Sequence, residues 1–193
     1  MKVKKYFEDV SETLKNTLVS DIAGATIELE KAFDLLIDKS KKIRDKQGVF
    51  YFVGNGASAT MSEHMSHDWF QNADVLTYTV SETAHITAIA NDLSYEDVFS
   101  YRLGKAASDK DMLIAISSSG NSPNVVKAIK TAKEKGLYVV TVTGMSKNNK
   151  ANKLGDMNFY VSLDTYGMIE AAHAVLLHCW LDLFLEKYMG GRH

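Results

Sequence analysis

The sequence predicts an α/β protein in three layers, a five-stranded parallel sheet with helices on both faces, extended by helices at its N-terminus. Three observations carry that reading. Five short runs rich in β-branched and aromatic residues follow Gly48, helical patterns lie between them, and the runs are apolar at nearly every position. Strands covered on both faces have that texture, whereas half-exposed strands alternate. Before Gly48 the chain reads as helix, because Ile22, Ala25, Leu29, Ala32, Phe33, Leu36, Ile37 and Ile43 recur at three- and four-residue steps. Gly48 then stands where a helix commonly stops, in the left-handed conformation that glycine adopts without strain. The predicted strands are 49–54, 76–80, 112–117, 138–143 and 157–161. Helices are expected over 58–72, about 95–107, 124–135 and 168–188, with 83–99 a long, polar connection that begins as loop. Asn91 and Asp92 read there either as turn formers or as residues facing a substrate, with Ser94 as a helix cap.

Composition sets the outer bounds. A chain of 193 residues with 46 % hydrophobic side chains fills a substantial core and is expected to form one domain, with helices over 1–48 and the sandwich over 49–193. The balance of 22 Lys+Arg against 24 Asp+Glu argues against a nucleic-acid-binding face. A single cysteine, Cys179, excludes an intramolecular disulfide and suits the cytoplasm. The charged N-terminal residues do not resemble a secretion signal, and no unbroken apolar run suggests a membrane span.

Open parallel sheets bind ligands beyond the carboxyl ends of their strands, so the loops there deserve the closest reading. GNGAS (54–58) joins the first sheet strand to a helix, and SSSGNSPN (117–124) joins the third strand to the next helix. Each delivers free backbone N–H groups and the positive end of a helix dipole, a setting that favours a phosphate. Asn55, Gly56 and Ser58 line up in the first loop, and Ser117, Ser118, Ser119 and Ser122 in the second. Capping is the plainer alternative, with Ser58 and Ser122 as N-caps and the glycines as turn residues. It suffices for GNGAS, but four serines within six residues exceed what capping needs.

A second constellation is spread over two helices. His64 and Asp68 are four residues apart and share a helix face. Glu170 and His178 are eight apart and project from related sides, offset by about 80°. Two imidazoles and two carboxylates suit zinc or a similar divalent ion, although a plain ion pair between His64 and Asp68 would look the same in sequence. His67 points elsewhere on its helix, and His173 suits a core position.

GNGAS followed by HMSHD, HITAIANDLSYEDVFSYRL and ISSSGNSPNVVKAIKTAKEKG together resemble the sugar isomerase (SIS) domain, and within it the phosphoheptose isomerases. The similarity runs from the N-terminal helices to about Glu186. It implies a homotetramer with sites at subunit interfaces, one zinc or similar ion per subunit, and conversion of sedoheptulose 7-phosphate to D-glycero-D-manno-heptose 7-phosphate. It assigns phosphate contacts to Asn55, Ser58, Ser117, Ser119 and Ser122, zinc ligation to His64 and His178, and a sugar contact to Asp92. Asp68 stands where the family usually has a glutamate that is both ligand and base, and Glu170 where it has a glutamine ligand. Asn72 and Gly167 replace an arginine and an aspartate near the substrate. On this reading Asp68, His178 and Glu170 are the candidate acid and base groups. Other SIS enzymes acting on amino-sugar phosphates, and non-catalytic SIS proteins that bind a replication initiator, are the alternatives.

Overall fold

The computed structural model describes residues 2–191. Its helices are α1 (Val3–Lys15), α2 (Leu29–Asp45), α3 (Ala57–Ala73), α4 (Thr83–Asp92), α5 (Ser100–Ala106), α6 (Pro123–Glu134) and α7 (Tyr166–Met189). The strands are β1 (Leu18–Asp21), β2 (Thr26–Ile27), β3 (Val49–Val53), β4 (Leu76–Thr79), β5 (Met112–Ser117), β6 (Tyr138–Thr143) and β7 (Met157–Tyr160). They form one seven-stranded sheet in the order β2-β1-β7-β6-β5-β3-β4. The five expected strands are all present and run parallel to one another, from β7 at one side to β4 at the other.

The expected sheet was two strands short. β1 pairs antiparallel with β7, and β2 antiparallel with β1. The segment read as continuous helix therefore breaks into α1, a hairpin and α2. Asp21 makes the hairpin, its Oδ1 accepting from the backbone N–H groups of Ala23 and Ala25, each at 2.9 Å. Gly24 follows at φ 82°, in the left-handed region. Ile22 and Ala25 thus lie in a turn, and Ile22 is exposed, so their helical spacing with Leu29 was incidental. Gly48 also has a different role from the one expected. Gln47 takes the left-handed conformation (φ 54°), while a Cβ on Gly48 would lie 2.1 Å from the Lys110 carbonyl oxygen. The connection 83–99 is not a loop throughout, since α4 occupies most of it and a short 3-10 turn spans Tyr95–Asp97.

The alternation hidden in the all-apolar strands is resolved by the two faces. Phe50, Phe52, Met112, Ile114 and Ile116 face α2, α3 and α7, whereas Tyr51, Val53, Leu113 and Ala115 face α5 and α6. Both sets are buried because helices cover both sides. On the first face an aromatic cluster clamps α3 to α7. Trp69 and Trp180 have ring centroids 4.7 Å apart, Phe50 stacks on Trp180 at 5.7 Å, and Phe184 meets Trp69 at 4.9 Å. Such pairs add roughly 0.5–1.5 kcal/mol each beyond their burial. The Trp180 indole N–H donates to Ser40 Oγ on α2, which fixes the roll of α7.

Among the described residues α7 is the one helix long and apolar enough to cross a membrane. Its apolar side chains are occupied otherwise, with Ile169, Ala172, Trp180, Leu181 and Phe184 buried against the sheet and α3. It is a core helix.

Candidate active site

Both serine- and glycine-rich loops lie at the carboxyl edge of the sheet, after the adjacent parallel strands β3 and β5. Together with the start of α7 they enclose a cavity of about 290 Å³ lined by Asn55, Gly56, Ala57, Ser58, Ile116, Ser117, Ser118, Ser119, Ser122, Tyr166 and Glu170. Every residue singled out in these two loops is therefore in one place. Gly56 is the N-cap of α3 at φ 57°, so Ser58 sits inside the first turn and is not the cap. Ser122 is the N-cap of α6, yet its side chain makes no capping hydrogen bond. Neither hydroxyl performs the capping role that was the plainer alternative.

The serine loop is held open by its own backbone. Ser117 Oγ accepts from the Gly120 N–H at 3.1 Å, and Ser119 Oγ accepts from the Asn121 N–H at 3.2 Å, which leaves each hydroxyl hydrogen available. The Ser118 carbonyl accepts from the Gly144 N–H at 3.1 Å and ties the loop to the end of β6. Gly120 is required twice over, by its φ of 61° and by Asn149, whose Oδ1 would lie 2.0 Å from a Cβ.

The second constellation meets two turns further along the same helices. His64 Nε2 lies 3.2 Å from His178 Nε2 and 3.3 Å from Asp68 Oδ2, and His178 Nε2 lies 3.9 Å from that same oxygen. Ligands 2.0–2.1 Å from a tetrahedral zinc are about 3.3 Å apart, so the three atoms have the spacing of one face of such a site. His178 Nδ1 is 2.8 Å from the Ala174 carbonyl and must donate to it, which leaves the Nε2 lone pair facing the other two residues. The donor set therefore fits a divalent ion. The trio opens on a groove of about 620 Å³ whose other polar residues are Gln71 and Asn72.

Glu170, expected as a fourth ligand, is not brought to the trio, and the potential ligand group among the described residues is His64, Asp68 and His178. The eight residues to His178 amount to about 12 Å of helix rise, more than one carboxylate can span. A shared face is not a shared location, and Glu170 lines the loop cavity instead. Asn91 and Asp92 are exposed at the end of α4, where Asn91 Nδ2 donates to Asp92 Oδ1 at 2.9 Å, and neither lines that cavity. Ser94 caps no backbone group and donates to Asp97 Oδ2. His67 is exposed on α3. His173 is fully buried and neither ring nitrogen has a hydrogen-bonding partner in acceptable geometry. Its nearby Thr143 backbone does not offset the burial, which pushes the imidazole down to about 4. Sequence reasoning missed Tyr166, which carries no local signal for a cavity role, and Asn124, which lay within the serine motif but outside its run of hydroxyls.

A parallel sheet with paired loops at adjacent strand ends, one rich in serine, is the SIS architecture, and residues 5–144 match the SIS domain family. Phosphoheptose isomerase from Chromohalobacter salexigens is 33 % identical over 153 residues, covering 75 % of this chain and 77 % of the relative. That from Helicobacter pylori is 31 % identical over 197 aligned positions, covering 99 % and 97 %. The structure of phosphoheptose isomerase from Neisseria gonorrhoeae superposes with a TM-score of 0.79 at 25 % identity, over 94 % of this chain and 93 % of that one. The chain belongs to the phosphoheptose isomerase family and is an isomerase.

Proposed function

We propose that the protein interconverts sedoheptulose 7-phosphate and D-glycero-D-manno-heptose 7-phosphate with the help of a divalent metal ion, zinc fitting best. The observation that carries the reading is the convergence of His64, Asp68 and His178 on the two helices whose N-terminal ends also line the serine cavity. The similarity to phosphoheptose isomerases supports a phosphorylated heptose as the substrate. The serine loop binds the phosphate through hydroxyl and backbone N–H donors and orients the sugar far from the reacting carbons. At the other end the ketose loses a proton from C1 to give an enediol, and return of a proton to C2, with transfer of the hydroxyl proton from O1 to O2, gives the aldose. Asp68 is the base proposed for C1; His178 holds the ion through Nε2, or, in a reaction without the ion, exchanges a proton with the sugar oxygens through that same nitrogen. When bound, the ion supplies Lewis-acid stabilisation of the oxygen that becomes negative. Glu170, beside the phosphate loops, is available as an alternative acid or base for a sugar reaching from a neighbouring subunit.

The same reading includes a homotetramer whose sites are completed at subunit interfaces, and a cytoplasmic enzyme. What supports the assembly is α1, which buries no residue within the chain and leaves Val3 and Phe7 exposed. The absence of a disulfide partner for Cys179 supports the cytoplasm. Incubation of the zinc-loaded protein with sedoheptulose 7-phosphate, followed by NMR of the anomeric protons, tests the function. Appearance of the aldose is expected. Retention of the ketose by protein that binds it and holds zinc would refute the isomerisation.

A further inference from the structure

Asn124 is nearly fully buried at the second position of α6, yet its side chain reaches across to the other loop. Its amide pairs reciprocally with that of Asn55: Asn55 Nδ2 donates to Asn124 Oδ1 at 2.9 Å, and Asn124 Nδ2 donates to Asn55 Oδ1 at 2.8 Å. This is the direct side-chain link between GNGAS and the helix that the serine loop opens. The orientation of the pair is not arbitrary. The Val125 backbone N–H, which can only donate, reaches the same atom of Asn124 at 2.9 Å and so identifies it as the oxygen. The facing atom of Asn55 must then be nitrogen and its other terminal atom oxygen. The Asn55 oxygen receives a second donor, the Tyr95 hydroxyl at 3.2 Å. Both of its lone pairs are thereby engaged, while the second Nδ2 hydrogen has no partner among the described residues.

We propose that Asn124 is a positioning residue that makes Asn55 an obligate hydrogen-bond donor toward the cavity, and so tunes that cavity for a phosphate rather than for a neutral hydroxyl donor. An unrestrained asparagine can present either end of its amide. Asn55 cannot, because rotating it would set its NH₂ against the NH₂ of Asn124 and leave two oxygens opposed. The chain of reference runs from a backbone N–H, through Asn124, to the one free N–H of Asn55. It rests on the phosphate reading of the loops given above.

The test is a double-mutant cycle on the full-length, metal-loaded protein, read by calorimetric titration with inorganic phosphate and by KM and kcat for sedoheptulose 7-phosphate. Asn124→Ala is expected to weaken phosphate binding about tenfold and raise KM by a similar factor, with kcat within twofold. In an Asn55→Ala background the same substitution is expected to change neither quantity by more than twofold. Should Asn124→Ala fail to fold, Asn124→Ser replaces it, because a serine at this place keeps a hydroxyl near the Val125 N–H but is too short to pair with the Asn55 amide. The same tenfold weakening is expected, again absent in the Asn55→Ala background, and unchanged affinity overturns the proposal. Unchanged phosphate affinity in folded Asn124→Ala, or an equal loss with and without Asn55, overturns the proposal. Ser119→Ala separates the two levels. If it weakens phosphate binding while Asn124→Ala does not, only the positioning role fails, and if neither does, the phosphate reading fails with it.

Discussion

His64 and His178 come from positions 114 residues apart, yet their Nε2 atoms are separated by 3.2 Å. Two imidazoles and a carboxylate at that spacing either share a proton or share an ion, and two substitutions distinguish the site from its surroundings. His178→Ala is expected to lose bound metal and at least about 100-fold in turnover, measured by plasma emission and by the isomerase assay. His67→Ala, on the exposed side of α3, should change neither. Ser119→Ala is expected to weaken any phosphorylated sugar by roughly 1–3 kcal/mol and an unphosphorylated heptulose hardly at all, because a charge-assisted bond is lost from one and not the other. His173 offers a prediction about pH. Its folded value near 4 lies below the ordinary 6.5, so between those limits the unfolded chain takes up a proton that the folded chain refuses. Stability is full above about pH 6.5 and falls as the pH drops toward 4, by roughly 3 kcal/mol in all. His173→Leu fills a similar volume without the two unpaired nitrogens, and its acid unfolding curve should begin at lower pH than that of the parent protein.

At the scale of elements, the site depends on how α3 and α7 are held. The Trp69–Trp180 contact lies one residue beyond Asp68 and two beyond His178, so the aromatic cluster sets the helix separation at which the trio meets. Trp180→Ala is expected to cost about 3–5 kcal/mol and to reduce metal affinity even in the folded fraction, as urea unfolding and zinc titration would show. Helix α3 and its strand were legible from sequence because β3, GNGAS and the following 3.6-residue pattern agree with one another. The β1–β2 hairpin was not. Four residues of strand are too few for a period to emerge, and its stability comes from pairing with β7, nearly 140 residues later in the chain. Helix α4 was missed for a related reason: its apolar stripe is only Ile86, Ile89 and Ala90, partly buried and followed at once by the polar Asn91 and Asp92.

On the scale of the whole molecule, the unsatisfied surface points outward from α1. Its amphipathic residues pack partly on the core through Tyr6, Val10 and Leu14, while Val3 and Phe7 face away from it. Light scattering at micromolar concentration is expected to give four times the 21.4 kDa chain mass, and a stable monomer would refute the shared-site arrangement.

What the sequence determined by itself is what short-range chemistry determines. The five parallel strands are each specified within a handful of residues, and the two anion-ready loops are contiguous motifs whose glycines, serines and helix starts sit side by side. His64 and Asp68 likewise share a face by spacing alone. Tertiary structure decided everything that requires two distant segments to be measured against each other. It joined His178 to the His64–Asp68 pair and left Glu170 two turns away beside the serine loop, a distinction invisible to helical angle because angle says nothing about rise. It also paired Asn55 with Asn124, since the reach of a side chain across adjacent βα loops depends on β3 and β5 being neighbours in the sheet.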